Sequence, residues 1–164
     1  MKQIGLISDT HGFLDETIFQ HFSPCDEIWH AGDFGNLELA RTLQAFKPLR
    51  GVYGNIDDAK TRQVFGEKLF FHCEDILVYM QHIGGYPGRY AKGVKENIMQ
   101  HQAHLFISGH SHILKIMYDE KLGCLHMNPG AAGKQGWHTK RTLIRFLVDK
   151  MDIKNCEVIE LDVS

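Results

Sequence analysis

Cysteine is scarce in this chain of 164 residues, and the four present, Cys25, Cys73, Cys124 and Cys156, are too far apart to form a Cys-x-x-Cys pair. That spacing excludes a zinc knuckle and a thioredoxin-like centre, and it fits a reduced, cytoplasmic setting. An excess of either charge is missing too. Lys plus Arg number 18 against 20 Asp plus Glu, a formal net charge of -2. Nothing therefore pulls the chain toward a polyanion from a distance, and extended nucleic acid is not expected as a partner. Apolar runs stay well short of the ~20 residues that cross a bilayer, so no membrane partner is expected. There is no internal repeat, low-complexity tract or Pro/Ser-rich linker. A chain of this length ordinarily makes one domain that hides roughly 70% of its unfolded surface, so a single domain over 1–164 is expected. Residues 1–7 lead straight into a strand-like run and lack the apolar stretch and cleavage site of a secretory leader, so none is expected.

Hydrophobic patterning divides the chain in two. The first half alternates: a buried-strand run over 3–8, a helix opened by Asp15 with Ile18, Phe19 and Phe22 on one face, and a strand over 27–30. Asn36 can cap a helix in which Leu39, Ala40, Leu43 and Phe46 recur until Pro48 ends it, and 49–53 is again extended. Such a β-α-β-α-β beginning favours a parallel sheet. Beyond it, 64–72 and 76–83 read as a hairpin around Cys73, Glu74 and Asp75. A helix carrying Tyr90, Val94 and Ile98 follows, then a short strand over 105–108. The remainder, 115–127, 142–148 and 157–163, reads as antiparallel strands joined by polar turns at 119–123 and 149–155. The expected α/β fold is two stacked mixed β-sheets flanked by helices. The glycine-dense segments 84–93 and 130–136 read as loops over a site.

Oxygen and imidazole donors, by contrast, are abundant at the strand ends. They occur in Asp9-Thr10-His11, Gly32-Asp33, Gly54-Asn55-Ile56-Asp57, His82 before Gly84-Gly85, and Gly109-His110-Ser111-His112. Taken singly, most have an ordinary explanation. Asp9 caps a turn, Gly32-Asp33 is a turn, Asn55 makes an Asx-turn with Asp57 capping the chain that follows, and His82 is a satisfied strand-end histidine. His110 and His112 say more, because two imidazoles flanking one small residue can serve two neighbouring cations. Their order decides the matter: successive strand ends of an α/β sheet gather on one edge, where ligands bind. A donor set without cysteine suits Mn, Fe, Zn or Ni, and two such ions side by side can activate a water to attack phosphorus.

Other groups carry weaker signals. His30 could support a donor from behind, with a structural role the first expectation. His21, His72, His101, His104, His126 and His138 show no ligand spacing. Lys134, Trp137, His138, Lys140 and Arg141 read first as a solvated loop that could reach a phosphate if it folds inward. Tyr86, Arg89 and Tyr90 could line an entrance, with Arg89 offering a bidentate phosphate contact.

In residue type and order the five segments resemble the calcineurin-like metallophosphoesterases, in particular their compact bacterial and archaeal phosphodiesterase branch. The resemblance runs from Asp9 to about Gly130 and includes Asn128-Pro129-Gly130-Ala131, similar to the branch's Asn-Pro-Gly-Ser. It implies a single metallophosphoesterase domain, a four-layer α/β/β/α sandwich, and two divalent metal ions per chain. Mn is the first expectation, with Ni, Fe, Zn or Mg as alternatives. It implies that Asp9, His11, Asp33 and His112 hold one ion and that Asp33, Asn55, His82 and His110 hold the other. Asp33 would bridge, and a hydroxide between the ions would attack phosphorus in line. Asp33, Asn55 and His82 would then act in catalysis through the ions and that hydroxide.

The implied substrate is a small phosphodiester or other phosphoester. Three positions depart from the pattern. Ile56 stands where phosphoprotein phosphatases have a histidine that can protonate a leaving group, which favours diesters over alkyl monoesters. Ala131 replaces the usual serine, and His82 sits in His-Ile-Gly-Gly where relatives often show His-Gly. A phosphomonoesterase or nucleotide phosphatase using the same site stays open, as does a non-catalytic retromer-type scaffold, against which the full set of seven donors argues. The sequence also leaves open whether the chain forms a homo-oligomer.

Overall fold

The computed structural model describes residues 1–161. The chain opens with β1 (Lys2–Ile7), α1 (Glu16–Phe22), β2 (Glu27–His30), α2 (Leu37–Phe46) and β3 (Leu49–Gly51). Both helices start where the sequence supplies a cap: the Asp15 carboxylate accepts from the Ile18 N–H, and the Asn36 carbonyl from the Leu39 N–H. Next come α3 (Ala59–Val64), β4 (Lys68–Cys73), β5 (Ile76–Gln81), the small hairpin β6 (Gly85–Tyr86) and β7 (Arg89–Tyr90), and α4 (Val94–His101). The chain continues through β8 (Leu105–Ile107), β9 (Lys115–Asp119), β10 (Cys124–Asn128), β11 (Arg141–Asp149) and β12 (Asp152–Leu161).

Two five-stranded mixed sheets result, ordered β12-β11-β1-β2-β3 and β4-β5-β8-β10-β9. In the first, β1, β2 and β3 run parallel and β11 joins β1 antiparallel. In the second, β5, β8 and β10 run parallel between antiparallel edge strands β4 and β9. The sheets bury one face against each other: Ile4, Leu6, Trp29, Ile144 and Phe146 share a core with Val78, Met80, Leu105, Ile107 and Met127. Trp29 bonds these layers edge-on, with its ring centroid 4.9 Å from Phe71 and 5.7 Å from Phe146. Such aromatic pairs contribute about 0.5–1.5 kcal/mol each beyond area burial. Alternation along β1 turns Ile7 the other way, onto Ile18, Phe22, Leu39 and Leu43 of α1 and α2. The far face of the second sheet packs Tyr79 and Phe106 against Val94 and Ile98 of α4. The order of layers is thus helix, sheet, sheet, helix.

Several local expectations differ from the structure. The strand expected over 64–72 starts only at Lys68, because Asp58 caps α3 by accepting from the Thr61 N–H and keeps 59–64 helical. The strand expected over 49–53 ends at Gly51. Tyr90 belongs to the β6–β7 hairpin; α4 begins after Gly93, whose φ of +86° breaks the run. The polar segment 149–155 is mostly strand, with a tight turn at Lys150 and Met151 and a bulge near Asn155. The antiparallel reading holds for β9 with β10 and for β11 with β12, and β10 in addition pairs parallel with β8. Of the final strand expected over 157–163, residues 162 and 163 lie outside the described residues.

Candidate metal centre

Every donor singled out by the sequence follows a strand that belongs to the parallel part of one sheet. Asp9 and His11 follow β1, Asp33 follows β2, Asn55 follows β3, His82 follows β5, and His110 and His112 follow β8. C-terminal strand ends of both sheets therefore share one edge of the molecule. Short backbone bonds lace the loops there: Asp9 N–H to Gly32 O, His11 N–H to Asp33 O and Gly12 N–H to Phe34 O, at 2.9, 3.1 and 2.8 Å. The backbone itself is bent to the purpose. Asp9, His11, Asp33, His110 and His112 all have positive φ, between 48° and 72°. Non-glycine residues enter that region at a cost, and such strain collects at functional sites.

The side chains converge in two trios, Asp9 with His11 and His112, and Asp33 with His82 and His110; within each, donor atoms lie within 4.8 Å of one another. Asp33 stands between them, its Oδ2 3.1 Å from His82 Nε2 and 3.6 Å from His11 Nε2. His112 Nε2 is 3.2 Å from Asp9 Oδ1. The Asn55 carbonyl oxygen completes the second group at 3.1 Å from His82 Nε2 and 3.0 Å from His110 Nδ1. Asp9 Oδ1 and both ring nitrogens of His11 are buried without a hydrogen-bond partner. Buried polar atoms are normally satisfied, so the orphaned Asp9 Oδ1 and His11 Nε2, 3.7 Å apart, fit a cation that the protein itself does not supply. The nitrogen and oxygen donors suit a divalent ion of the Mn to Zn series or Mg.

Surrounding groups fix the orientation of each donor. Ser8 Oγ and the His110 N–H donate to Asp9 Oδ2 at 2.6 and 3.1 Å, and the Ile56 N–H donates to Asp33 Oδ1 at 3.0 Å. His82 Nδ1 lies 2.8 Å from the Ala31 carbonyl; a carbonyl only accepts, so Nδ1 carries the proton and Nε2 faces the carboxylates. By the same logic His138 Nε2 donates to the Gly133 carbonyl at 2.8 Å. Its Nδ1 is left to accept from His112 Nδ1 at 3.2 Å, which turns His112 Nε2 inward. Two glycines make the close approach possible: a Cβ on Gly32 would sit 2.6 Å from His82 Nδ1, and one on Gly109 would strike Ser8 Oγ and Asp9 Oδ2.

Electrostatics follow from the crowding. Burial pushes the Asp9 carboxyl up, but the imidazoles of His11, His112 and His82 and the Ser8 hydroxyl outweigh it and hold the group well below the usual carboxylate range. Asp9 raises the pKa of His11 against the opposing effect of burial. Burial lowers that of His82, yet Asp33 and Asp9 prevail and raise it. His11 and His82 share the pocket with carboxylates that favour their protonated forms, and a cation entering would displace those protons.

Other residues differ from their sequence reading. Asp57 does not cap the following chain; its carboxylate accepts from the N–H groups of Asp33, Phe34, Gly35 and Gly54 and so shapes the Asp33 loop. His30 is fully buried, stacked on Phe34, and bonded to Thr10 Oγ1 and the Gly32 N–H, not to Asp33. Burial pulls its pKa down to about 3, so it is a neutral brace. Arg141 is buried, donating to the Ala132 carbonyl and Asp15, which makes it an anchor of the 132–141 loop and not a phosphate contact. Trp137 is fully exposed. The turn at Asn128 survives the loss of serine: Asn128 Oδ1 accepts from the Gly130 N–H, and Nδ2 donates to the Gly109 carbonyl and Ser111 Oγ. Ala131 is buried. Arg89 lies beyond His110, on the wall of a neighbouring cleft. His138 was missed as a support; its place after the glycine-rich loop was the available signal.

Comparison with known proteins gives the family and the fold. A family model described as the calcineurin-like phosphoesterase superfamily domain matches residues 1–151. A protein from Methanothermobacter thermautotrophicus named as a probable metallophosphoesterase is 30% identical over 133 residues, covering 78% of this chain and 76% of its own. Among solved structures, Vps29 of Entamoeba histolytica complexed with zinc superposes with a TM-score of 0.74 at 15% identity, covering 96% of this chain and 98% of that one. A Streptococcus pneumoniae protein described as a predicted phosphoesterase gives 0.69 at 16% identity, with 98% of each chain covered. Below 25% identity these two likenesses concern the fold alone. With the family model spanning nearly the whole chain, the protein belongs to the calcineurin-like phosphoesterase superfamily.

Proposed function

We propose that the chain is a metal-dependent phosphodiesterase acting on a small phosphodiester at a two-metal centre. The observation that carries this reading is the meeting of seven donors from five strand ends, with the Asp33 carboxylate between the two trios. Asp9, His11, Asp33 and His112 would hold one ion, and Asp33, Asn55, His82 and His110 the other. Two bound divalent ions would polarise a phosphoryl oxygen and lower the pKa of a water. Mn is the first choice, and a nitrogen and oxygen donor set also admits Ni, Fe, Zn or Mg. The chain's own part is to preorganise: Ser8, the Ile56 N–H, the Ala31 carbonyl and His138 each aim one donor. Donors held in this way need little reorganisation as charge develops on the phosphoryl oxygens.

Ile56 bears on the substrate. Its side chain is half exposed beside Asn55 and has no proton to give a leaving group. A diester with a good leaving group depends less on that proton than an alkyl monoester or a protein phosphate does. A scaffold role on the same fold is the competing reading. Likeness to Vps29 at 15% identity bears on fold alone, whereas five donors kept in left-handed backbone have no use in a chain freed from chemistry. All four cysteines are free thiols, in keeping with a reduced, cytoplasmic setting.

The test is a panel of aryl diesters, alkyl monoesters and phosphoserine peptides assayed on metal-stripped protein, with Mn, Ni, Zn, Mg or Fe restored one at a time. Activity restored chiefly on diesters is the expected result. Turnover without metal, or faster hydrolysis of phosphoserine peptides than of the aryl diester, overturns the proposal.

A further inference from the structure

Beside His110 a cleft of about 350 Å³ runs along the outer face of the second sheet. Strand register explains its make-up. Along β10, His126 and Asn128 point to this face, and in the antiparallel pairing with β9 Asn128 lies opposite Lys115 and His126 opposite Met117. The β6–β7 hairpin closes the other side, bringing Tyr86 and Arg89 to the wall. Gly84 lets the hairpin come down, since a Cβ there would collide with the Phe106 ring. Ile83 and Ile113 add apolar surface, and the Lys115 ammonium stands 4.0 Å from the Tyr86 ring centroid. No carboxylate lines this space.

His126 is the unusual member. Its side chain is 1% exposed, and its Nδ1 lies 3.2 Å from the Phe106 carbonyl. That carbonyl can only accept, so Nδ1 bears the proton and Nε2 a lone pair. Nε2 is buried with no hydrogen-bond partner. Burial, with Lys115 assisting, pulls the pKa down to about 4, so the ring stays neutral near pH 7 and Nε2 stays an acceptor. Native proteins seldom leave such an atom unmatched, and His126 is among the residues lining the cleft, so a guest that displaces the cover over the ring and brings a donor would match it.

We propose that this cleft receives one ester arm of the diester, and that His126 Nε2 selects a flat, nucleoside-sized arm carrying an N–H or O–H donor. The inference rests on the diesterase reading for its substrate, and it names the group that confers selectivity there. Arg89 and Lys115 add positive charge without a compensating carboxylate, so the arm is neutral or anionic and not cationic. Sites built to bond a polar group discriminate strongly against analogues that lack it, because the protein's own buried partner is then left unpaired.

The experiment compares two diesters with the same 4-nitrophenyl leaving group, one with a plain phenyl second arm and one with 3-aminophenyl. Wild-type protein should favour the amino arm in kcat/KM by roughly tenfold or more. His126→Phe should bring that ratio near one. A merely structural role for His126 would lower both substrates together and leave the ratio intact, which would overturn the proposal, as would a wild-type ratio of one. His126→Gln, which can still donate to Phe106 and accept from a guest, should restore part of the preference and guards against a folding defect in the phenylalanine variant. Calorimetric titration with the corresponding non-hydrolysable phosphonates separates this inference from the function it rests on. Tighter binding of the amino arm, lost in His126→Phe, sustains the subsite even if no diester is turned over, and equal binding of both arms sinks it.

Discussion

The two donor trios share a chemistry but differ in enclosure. Asp9 is fully buried, His11 and His112 are half-buried, and His112 is backed by His138 and the Gly133 carbonyl. In the other group Asp33 and His82 are buried, but His110 and Asn55 face solvent. His110 also borders the cleft that ends at His126. One group is therefore the more enclosed by protein, and the other has an entrance. An ion held by the more enclosed group would exchange more slowly with solvent, and the open group would be where a substrate oxygen enters. If this asymmetry holds, damage to one group will read differently from damage to the other.

The largest effect is expected where the distinction vanishes. Asp33→Asn removes charge shared by both groups, so metal content measured by atomic emission should fall for both positions. Activity should drop by more than ~100-fold, beyond the range of outer supporting groups. A variant with full metal content and normal turnover would mean that Asp33 serves neither. Asn55→Ala is the sharper probe of asymmetry. It touches only the open group, so about one of two ions should remain bound after dialysis, with turnover mostly lost. Equal loss of both ions would show that the groups act as one.

His138→Ala tests the enclosed side from behind. Removing the ring leaves His112 Nδ1 without its acceptor and frees the ring to turn. Metal affinity of the enclosed position should weaken by roughly tenfold, as supporting partners of metal-binding histidines usually do. His138→Gln, which keeps an acceptor, should recover part of it. Competition titration with a fluorescent chelator reads both.

These contrasts also show which features the sequence could reveal. Strand ends were legible because apolar runs such as 3–8 and 105–108 stop abruptly at donors, and all seven donors meet on one sheet edge. Capping by Asp15 and Asn36 was legible for the same reason, since the signal is local. What stayed hidden depends on distant chain. The strand expected over 64–72 takes in Val64, the last residue of α3, a helix the sequence pattern does not announce; Asp58 caps it and Phe65 stacks on Phe34. Asp57 was assigned to its own neighbours, whereas it closes a loop more than twenty residues away. His126 and His138 carry no spacing signal, because their partners, Phe106 and His112, are set by sheet register and by the fold of a long loop. Sequence pattern reports periodicity and local caps; it does not report which buried nitrogen lacks a partner.

The smallest expected effect concerns protons in the absence of metal. His11 and His82 have folded pKa values raised above the ordinary 6.5, through Asp9 for the first and through Asp33 and Asp9, against burial, for the second. A group raised on folding adds stability that is fully present below 6.5 and is lost as pH rises through its folded value. Asp9 is lowered, so its contribution is present above 3.8 and is lost only in strong acid, where its folded value lies. From pH 6.5 upward through their folded values, His11 and His82 therefore add a downward slope. The metal-stripped protein should lose a few degrees of Tm across that interval. With Mn in excess the trend should flatten or reverse, because cation and protons compete for the same nitrogens and higher pH favours the cation. Parallel melting curves with and without Mn would show that the pair His11 and His82 does not exchange protons for metal.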